Sequence, residues 1–266
     1  ITMLGMFRGV WDYRGFILTS IKNEFISRFA RSKLGGLWMI IHPLAQVAIY
    51  ALILSNVLGA RLPGIDNKYA YALYLIAGIL AWNLFAEIVG RCLTVFIEQG
   101  NLMKKMRFPR IALPVIVVGS CLLNNLLLFI AAMIIFALLG HAPNAQMLWL
   151  LPLTLVVVAF AVGLGLVLGV LNVFLRDIGQ VVPIIMQVWF WFTPIVYSVN
   201  IVPDYLKGTL DINPMYAIVT GYHNALVYKL APNIAELGVT VAIALGLMVL
   251  GLFLFRRASA EMVDSL

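Results

Sequence analysis

Long apolar segments separated by short polar connections run along the whole chain. Residues 237–255 (LGVTVAIALGLMVLGLFLF) contain no charged residue and end at Arg256 and Arg257. A helix needs about 20 apolar residues to cross about 30 Å of hydrocarbon, so this segment is long enough to span a membrane. Five earlier segments have a comparable length and character: 37–57, 69–90, 111–139, 147–174 and 180–199. The pattern predicts an all-α integral membrane protein with six transmembrane helices.

The composition agrees with this assignment. Hydrophobic residues make up 63% of the 266 positions and charged residues only 11%. Soluble domains carry about 25% charged residues, so a soluble fold is excluded.

The distribution of positive charge predicts the orientation. Six crossings place both termini on one side, and 14 of the 18 Lys and Arg residues fall on that side. The opposite side has only Arg61, Lys68, Lys207 and Lys229. Because cytoplasmic loops are enriched in Lys and Arg, both termini are expected in the cytoplasm. The net charge of +7 is thus a topology signal and gives no reason to expect a nucleic acid partner.

Motifs for catalysis or cofactor binding are missing from the sequence. It has no Gly-x-x-x-x-Gly-Lys-Ser/Thr loop for ATP and no Gly-x-Ser-x-Gly elbow. The three histidines are far apart and form no helical pair for a metal. We therefore predict no catalytic residue, no metal site and no cofactor in this chain. Cys92 and Cys121 are expected to be free thiols.

Residues 1–34 precede the first span and predict an amphipathic interfacial helix. Leu18, Ile21, Phe25 and Phe29 recur at intervals of three and four, while the basic residues point elsewhere. The segment could be a membrane anchor only or a brace for a docked partner. The sequence leaves both interpretations open.

Residues 98–110 form a short polar and basic connection within the domain spanning 35–266. Positive-inside topology explains its charge but not its apolar residues Leu102, Met103, Met106 and Phe108, which suit a groove on another protein. A short helix on the membrane surface is predicted.

Residues 200–235 contain an apolar stretch, 214–230, that is too short to cross easily and is interrupted by Gly221, His223 and Asn224. A crossing here would also place Arg256 and Arg257 outside. A re-entrant or interfacial segment on the external side is predicted, which implies protein or a water-filled cavity beside it.

Aromatic residues are concentrated at Trp189, Phe190, Trp191 and Phe192, and Tyr197 follows in the same predicted span. Four successive aromatic residues cover every face of a helix, so some must face protein or a pore. Flat rings stack on the C–H faces of sugars and still permit sliding. We interpret Trp189 and Trp191 as pathway residues, whereas Tyr69, Tyr71 and Tyr74 fit a lipid-interface aromatic belt better.

Two residue pairs have helical spacing. Glu87 and Arg91 can meet on one face, either as a pair reaching water or, less commonly, as a gate. Gly165 and Gly169 form a small-xxx-small pair and predict close helix packing.

Four short motifs in order resemble the ABC-2 type permeases that export polysaccharides, including O-antigen and capsule. The motifs are Leu34-Gly35-Gly36-Leu37-Trp38 with Pro43-Leu44; Asn172-Val173 with Arg176-Asp177-Ile178; Phe192-Thr193-Pro194-Ile195 with Tyr197; and Asn213-Pro214. The resemblance covers nearly the whole chain.

The resemblance implies a homodimeric channel with two separate ATPase subunits, which would bind ATP and Mg²⁺, docked on its cytoplasmic face. It implies a polyprenyl-pyrophosphate-linked glycan as the substrate, moved across the inner membrane of a Gram-negative bacterium. The expected ATPase-coupling residues are Leu102, Met103, Lys104, Met106, Arg107 and Phe108. The expected pathway residues are Trp189, Phe190, Trp191, Tyr197, Tyr216 and Tyr222. Arg28, Arg31 and Lys33 could attract the pyrophosphate, although positive-inside topology explains them equally well.

Two alternatives remain open from the sequence. One is a related exporter of teichoic acid, lipid or drugs. The other is a proton-coupled secondary carrier, which would normally place ionisable residues at the membrane midplane. An adjacent gene for an ATPase would separate these functions.

Overall fold

The computed structural model describes residues 3–30, 37–56, 70–105, 108–138, 140, 143–259 and 261–262. These residues form helices and no β-strand, which confirms the all-α prediction for the described part of the chain. The α-helices are α1 Met3–Asp12, α2 Arg14–Ala30, α3 Leu37–Asn56, α4 Ala70–Glu98, α5 Gly100–Lys105, α6 Ala112–Leu138, α7 Leu150–Phe174, α8 Ile178–Phe192, α9 Asp204–Leu210, α10 Pro214–His223 and α11 Ile234–Ala258. A 3-10 segment, Ala145–Trp149, leads into α7, and a π-helical turn, Asn224–Tyr228, follows α10.

Four of the described helices are long and apolar enough to cross a membrane: α4, α6, α7 with its 3-10 segment, and α11. They coincide with four of the predicted spans. The predicted fifth span, 180–199, extended too far, because α8 ends at Phe192 and Thr193 is extended. Pro194 explains this end, since the residue before a proline is forced out of the helical region. Tyr197 therefore lies in a loop and not on a transmembrane helix.

Helix α4 occupies the centre of the bundle. From Leu73 to Phe96, every residue of α4 is buried except for one stripe. That stripe, which we call the accessible stripe, consists of Asn83, Ala86, Glu87, Gly90, Arg91 and Thr94. Helices α6, α7, α10 and α3 pack around α4.

Glycines let the central helices approach each other closely. A Cβ atom at Gly165 would lie 2.7 Å from the Cβ of Cys92, and one at Gly169 would meet the carbonyl oxygen of Cys92. On the other side of α7, a Cβ at Gly163 would lie 2.6 Å from the backbone nitrogen of Met248 on α11. The predicted close packing at Gly165 and Gly169 is thus confirmed. Both cysteines are free and buried.

The N-terminal segment forms two helices, because α1 and α2 meet at a turn at Tyr13. Helix α2 packs along α6 through Ile17, which is buried, and Ile21, whose side chain lies against Gly119. Leu18 belongs to the predicted apolar stripe but is 65% exposed. The predicted stripe is therefore divided, with Ile21 in the contact with α6 and Leu18 on an exposed face of α2.

Several contacts bring basic segments to one end of the bundle, which we call the basic end. It consists of α2, α5 and the C-terminal ends of α4, α7 and α11. Phe16 of α2 packs on Phe108 after α5, with ring centroids 5.8 Å apart. Phe96 near the end of α4 stacks on Phe255 near the end of α11 at 5.4 Å. The side-chain amide of Asn172, near the end of α7, donates a hydrogen bond to the Leu93 carbonyl at 2.8 Å. Helix α2, the segment after α5 and the C-terminal ends of α4, α7 and α11 thus lie at the same end of the bundle.

Candidate functional site

A cavity of about 350 Å³ lies between α3, α4 and α8. Its lining combines three amide side chains with three aromatic rings and one methionine: Gln46, Asn83, Gln187, Trp82, Phe190, Trp191 and Met186. No charged residue is among these lining residues. Such a surface offers stacking faces and hydrogen-bonding amides without a fixed charge.

An aromatic cluster supports the wall of this cavity. Trp82 meets Phe190 edge-on at 5.6 Å and Trp189 at 6.4 Å. Phe85 and Phe160 stack on each other at 5.2 Å, and each also contacts the Trp189 ring. Because these rings interlock, the cavity side of α8 is held in a defined position against α4 and α7.

The four predicted pathway residues near the end of α8 have different environments. Trp191 is 53% exposed and lies edge-on against Phe190, which is buried apart from its contact with the cavity. Trp189 instead turns towards the core and donates its indole N–H to Asn213 at 2.8 Å. Tyr197 donates its hydroxyl to the Trp191 carbonyl at 3.0 Å. The structure therefore brings Phe190 and Trp191 to the cavity and places Trp189 and Tyr197 beside them.

Asn213 joins the end of α8 to the start of α10. Its side-chain oxygen caps α10 by accepting the Met215 N–H at 3.0 Å as well as the Trp189 indole. Its amide nitrogen donates to the Phe192 carbonyl at 3.2 Å and to the Thr193 hydroxyl oxygen at 3.0 Å. These four bonds use both acceptor sites and both donors of the side chain, so Asn213 fixes the position of α10 relative to the aromatic cluster.

Helix α10 is buried and packs against α4 and α7 at the end of the bundle opposite the basic end. A Cβ at Gly221 would lie 2.8 Å from Leu153 of α7. The predicted pathway residue Tyr222 is 1% exposed and shares a hydrogen bond of 2.8 Å with Thr154 of α7, whereas Tyr216 is half-buried. Ten helical residues cover only about 15 Å, which is too short for a crossing.

Tyr71 and Tyr74 do not form the lipid-facing belt predicted for them, and Tyr69 lies outside the described residues. Both side chains are buried. The Tyr71 hydroxyl donates to the Val196 carbonyl, and the Tyr74 hydroxyl lies 3.2 Å from the Pro194 carbonyl and 3.1 Å from that of Tyr197. The carbonyls of the loop after α8 provide partners that a lipid interface would not.

The Tyr74 ring also stacks on His223, the last residue of α10, with centroids 3.6 Å apart. The His223 Nε2 atom lies 3.1 Å from the Tyr74 carbonyl oxygen. The His223 side chain is buried. The stacked pair therefore acts as a fixed contact between α4 and α10.

The predicted coupling segment is partly turned towards the chain itself. Met103 is 5% exposed, Leu102 packs against the core, and Phe108 contacts Phe16. The exposed side chains of α5 are Asn101, Lys104 and Lys105. Met106 and Arg107 lie outside the described residues.

The predicted pyrophosphate site cannot be assembled from the described side chains. Arg28 belongs to α2, but its side chain lies outside the described part of the chain, as do Arg31 and Lys33 entirely.

Sequence reasoning missed Gln46, Trp82, Asn83, Met186 and Gln187, which line the cavity. The available signal was an uncharged polar residue inside an apolar span. Gln46, Asn83 and Gln187 each have this property, and polar residues within a span usually face the protein interior or a water-filled cavity.

Comparison with known proteins identifies a matching family and several similar proteins. A family model described as ABC-2 type transporter matches residues 16–227. The chain is 24% identical over 266 residues to an O-antigen export system permease protein of Myxococcus xanthus, covering 99% of this chain and 100% of that protein. It is 26% identical over 255 residues to an O-antigen export system permease protein of Klebsiella pneumoniae (94% and 95% covered). A polysialic acid transport protein of Escherichia coli is 22% identical over 248 residues (91% and 93% covered).

Proposed function

The chain belongs to the ABC-2 type transporter family, and we propose that it is the membrane subunit of an ATP-driven polysaccharide exporter. In this proposal a polyprenyl-pyrophosphate-linked, O-antigen-like glycan moves from the cytoplasm across the inner membrane. The observation that carries the proposal is the cavity of rings and amides between α3, α4 and α8, in a chain whose relatives are named for polysaccharide export.

The cavity chemistry suits a glycan. Trp191 offers an exposed ring face for the C–H surface of a sugar, and the amides of Asn83 and Gln187 can exchange hydrogen bonds with hydroxyl groups. Neither contact depends on a charge on the sugar. A chain of sugar units can therefore advance by one residue and find the same partners again.

We propose a membrane arrangement of six crossings, with α3 and α8 completing the set of α4, α6, α7 and α11. Helix α8 has only 15 residues, and the buried residues 193–196 that follow it complete its crossing in this proposal. The basic end is cytoplasmic, which agrees with the enrichment of Lys and Arg there. Helices α9 and α10 then form an external segment, with α10 entering the membrane from outside and returning. A homodimer encloses the pathway.

Two ATPase subunits are proposed to dock at the basic end and to supply ATP and Mg²⁺ chemistry. The exposed side chains of Asn101, Lys104 and Lys105 on α5, rather than the buried Met103, are the described part of the coupling segment available to them.

The functional test combines assembly with transport. The chain purified alone should hydrolyse no ATP, since it has no phosphate-binding loop. Co-expressed with the ATPase subunit of an O-antigen exporter, it should co-purify with that subunit, show ATP hydrolysis and restore surface glycan in a permease-deficient strain. A chain that captures no ATPase subunit and restores no glycan would refute the proposal.

Orientation can be tested separately by cysteine labelling. A cysteine at Lys207 should react with a membrane-impermeant maleimide in intact cells, whereas one at Arg257 should react only after the membrane is opened. The native chain is the control, because Cys92 and Cys121 are buried. Labelling at position 257 from outside would overturn the six-crossing arrangement.

A further inference from the structure

Three helices meet at a charged cluster near the basic end. Arg91 on α4 donates a hydrogen bond from its Nη2 atom to Glu24 on α2, with the two atoms 2.5 Å apart. The second carboxylate oxygen of Glu24 accepts the Ser120 hydroxyl of α6 at 2.8 Å. The ion pair predicted from sequence spacing, Arg91 with Glu87, is present but longer, at 4.0 Å. The main partner of Arg91 is therefore Glu24, which lies 67 positions earlier in the sequence.

Helix α6 holds the remaining polar groups of this cluster. The Asn124 amide donates to Glu87 at 2.6 Å, and the Asn125 amide donates to the Leu80 carbonyl at 2.9 Å. The Arg91 Nη1 atom also lies 3.7 Å from the Cys121 sulfur. Thus polar groups of α6 contact α4 over about three helical turns, while α2 reaches α4 through one ion pair.

Both partners of that ion pair are mostly shielded from solvent. The Arg91 side chain is 24% exposed and the Glu24 side chain 26%. Charged side chains that are shielded from solvent pair with one another, and removal of one partner leaves the charge of the other uncompensated. The contact therefore holds α2 and α4 in one relative position.

The same face of α4 leads to the cavity. Asn83, Glu87 and Arg91 are spaced by four and belong to the accessible stripe. Each interval is about 6 Å along the helix, so Arg91 lies about 12 Å from Asn83 in the cavity wall. Because α4 is an uninterrupted helix between them, displacement at Arg91 carries Asn83 and its neighbour Trp82 with it.

We propose that Glu24 and Arg91 are positioning residues that transmit movement of α2 to the cavity wall on α4. This inference rests on the proposed function, in which ATPase subunits move the basic end. The apolar contact of Ile21 with Gly119 holds α2 against α6, and the ion pair extends that connection to the helix that lines the substrate path. ATP hydrolysis and export are then coupled through one charged contact.

The test is a double-mutant cycle of Glu24→Gln, which preserves side-chain size, and Arg91→Met, which removes the charge and keeps an unbranched side chain. In complexes with the ATPase subunit, each single variant should lower glycan export per ATP hydrolysed by about 10-fold. ATPase activity and complex assembly should be retained. The double variant should lose no more than either single variant, because both remove the same link.

Two further variants control for structural damage. Glu24→Asp keeps the charge and should recover most of the export, while Lys22→Gln removes an exposed charge from the same helix and should change nothing. Unchanged export per ATP in Glu24→Gln, or losses that multiply in the double variant, would overturn the link while leaving the proposed function intact. A native chain that assembles with no ATPase subunit would overturn both.

Discussion

Replacing Gly169 by Leu should leave almost no folded protein in the membrane. A Cβ at this position already meets the Cys92 carbonyl oxygen and lies 3.3 Å from the Phe96 ring. The obstacle is the backbone of α4, which cannot rotate away as a flexible side chain can. Overpacking of a tight core costs about 1–3 kcal/mol or more, and here the central helix itself must move. The measurement is the yield of detergent-extracted, monodisperse protein.

Gly246 on α11 provides the matched control. Nothing lies within 4 Å of a Cβ at this position, so Gly246→Leu should insert and purify like the native chain. A normal yield of the Gly169→Leu variant would mean that α4 and α7 do not approach each other closely at Gly169 and Cys92.

Trp191→Ala should reduce glycan export about 5- to 10-fold while subunit assembly and ATPase activity persist. An aromatic contact is worth about 0.5–1.5 kcal/mol beyond its buried area, and 1.4 kcal/mol corresponds to a factor of ten. The ring is 53% exposed and lines the cavity, so its removal takes away a stacking surface without disturbing the core. Surface glycan is measured beside the amount of protein in the membrane.

Two comparisons distinguish stacking from simple hydrophobic packing. Trp191→Phe should retain more export than Trp191→Leu, since only Phe presents a flat ring. Phe192 is the next residue on α8, is 63% exposed and does not line the cavity, so Phe192→Ala should export normally. Full export by Trp191→Ala at native protein levels would remove this ring from the pathway.

Apolar length predicted the major helices well, because a membrane-spanning helix must be long and uniformly apolar. It failed at helix ends. The second span was expected to stop at Gly90, but α4 continues to Glu98. The helix can include Arg91 because Glu24 neutralises it, and no local pattern reveals a partner on another helix.

The aromatic cluster shows what sequence reasoning could and could not predict about the site. Four consecutive rings required that some face protein, and Phe190 and Trp189 do so while Trp191 faces the cavity. The assignment of each ring depends on where α4 and α10 lie. Tyr74 was misassigned to the lipid interface for the same reason, since the carbonyls that hold it belong to residues more than 100 positions away.

The polar side chains of α4 have a consequence for biogenesis. Among the four described candidate spans, α4 has the lowest mean hydropathy and the largest buried share, 78%. Its Glu87 and Arg91 would each cost energy in an isolated helix at the translocon, although less than the about 2.5–3.5 kcal/mol for an Arg at the helix centre, because Arg91 lies nearer the end of α4. Ser120, Asn124 and Asn125 on α6 are synthesised later. We therefore expect nascent α4 to remain beside the insertion machinery until α6 emerges, so that these two helices enter the lipid as a pair.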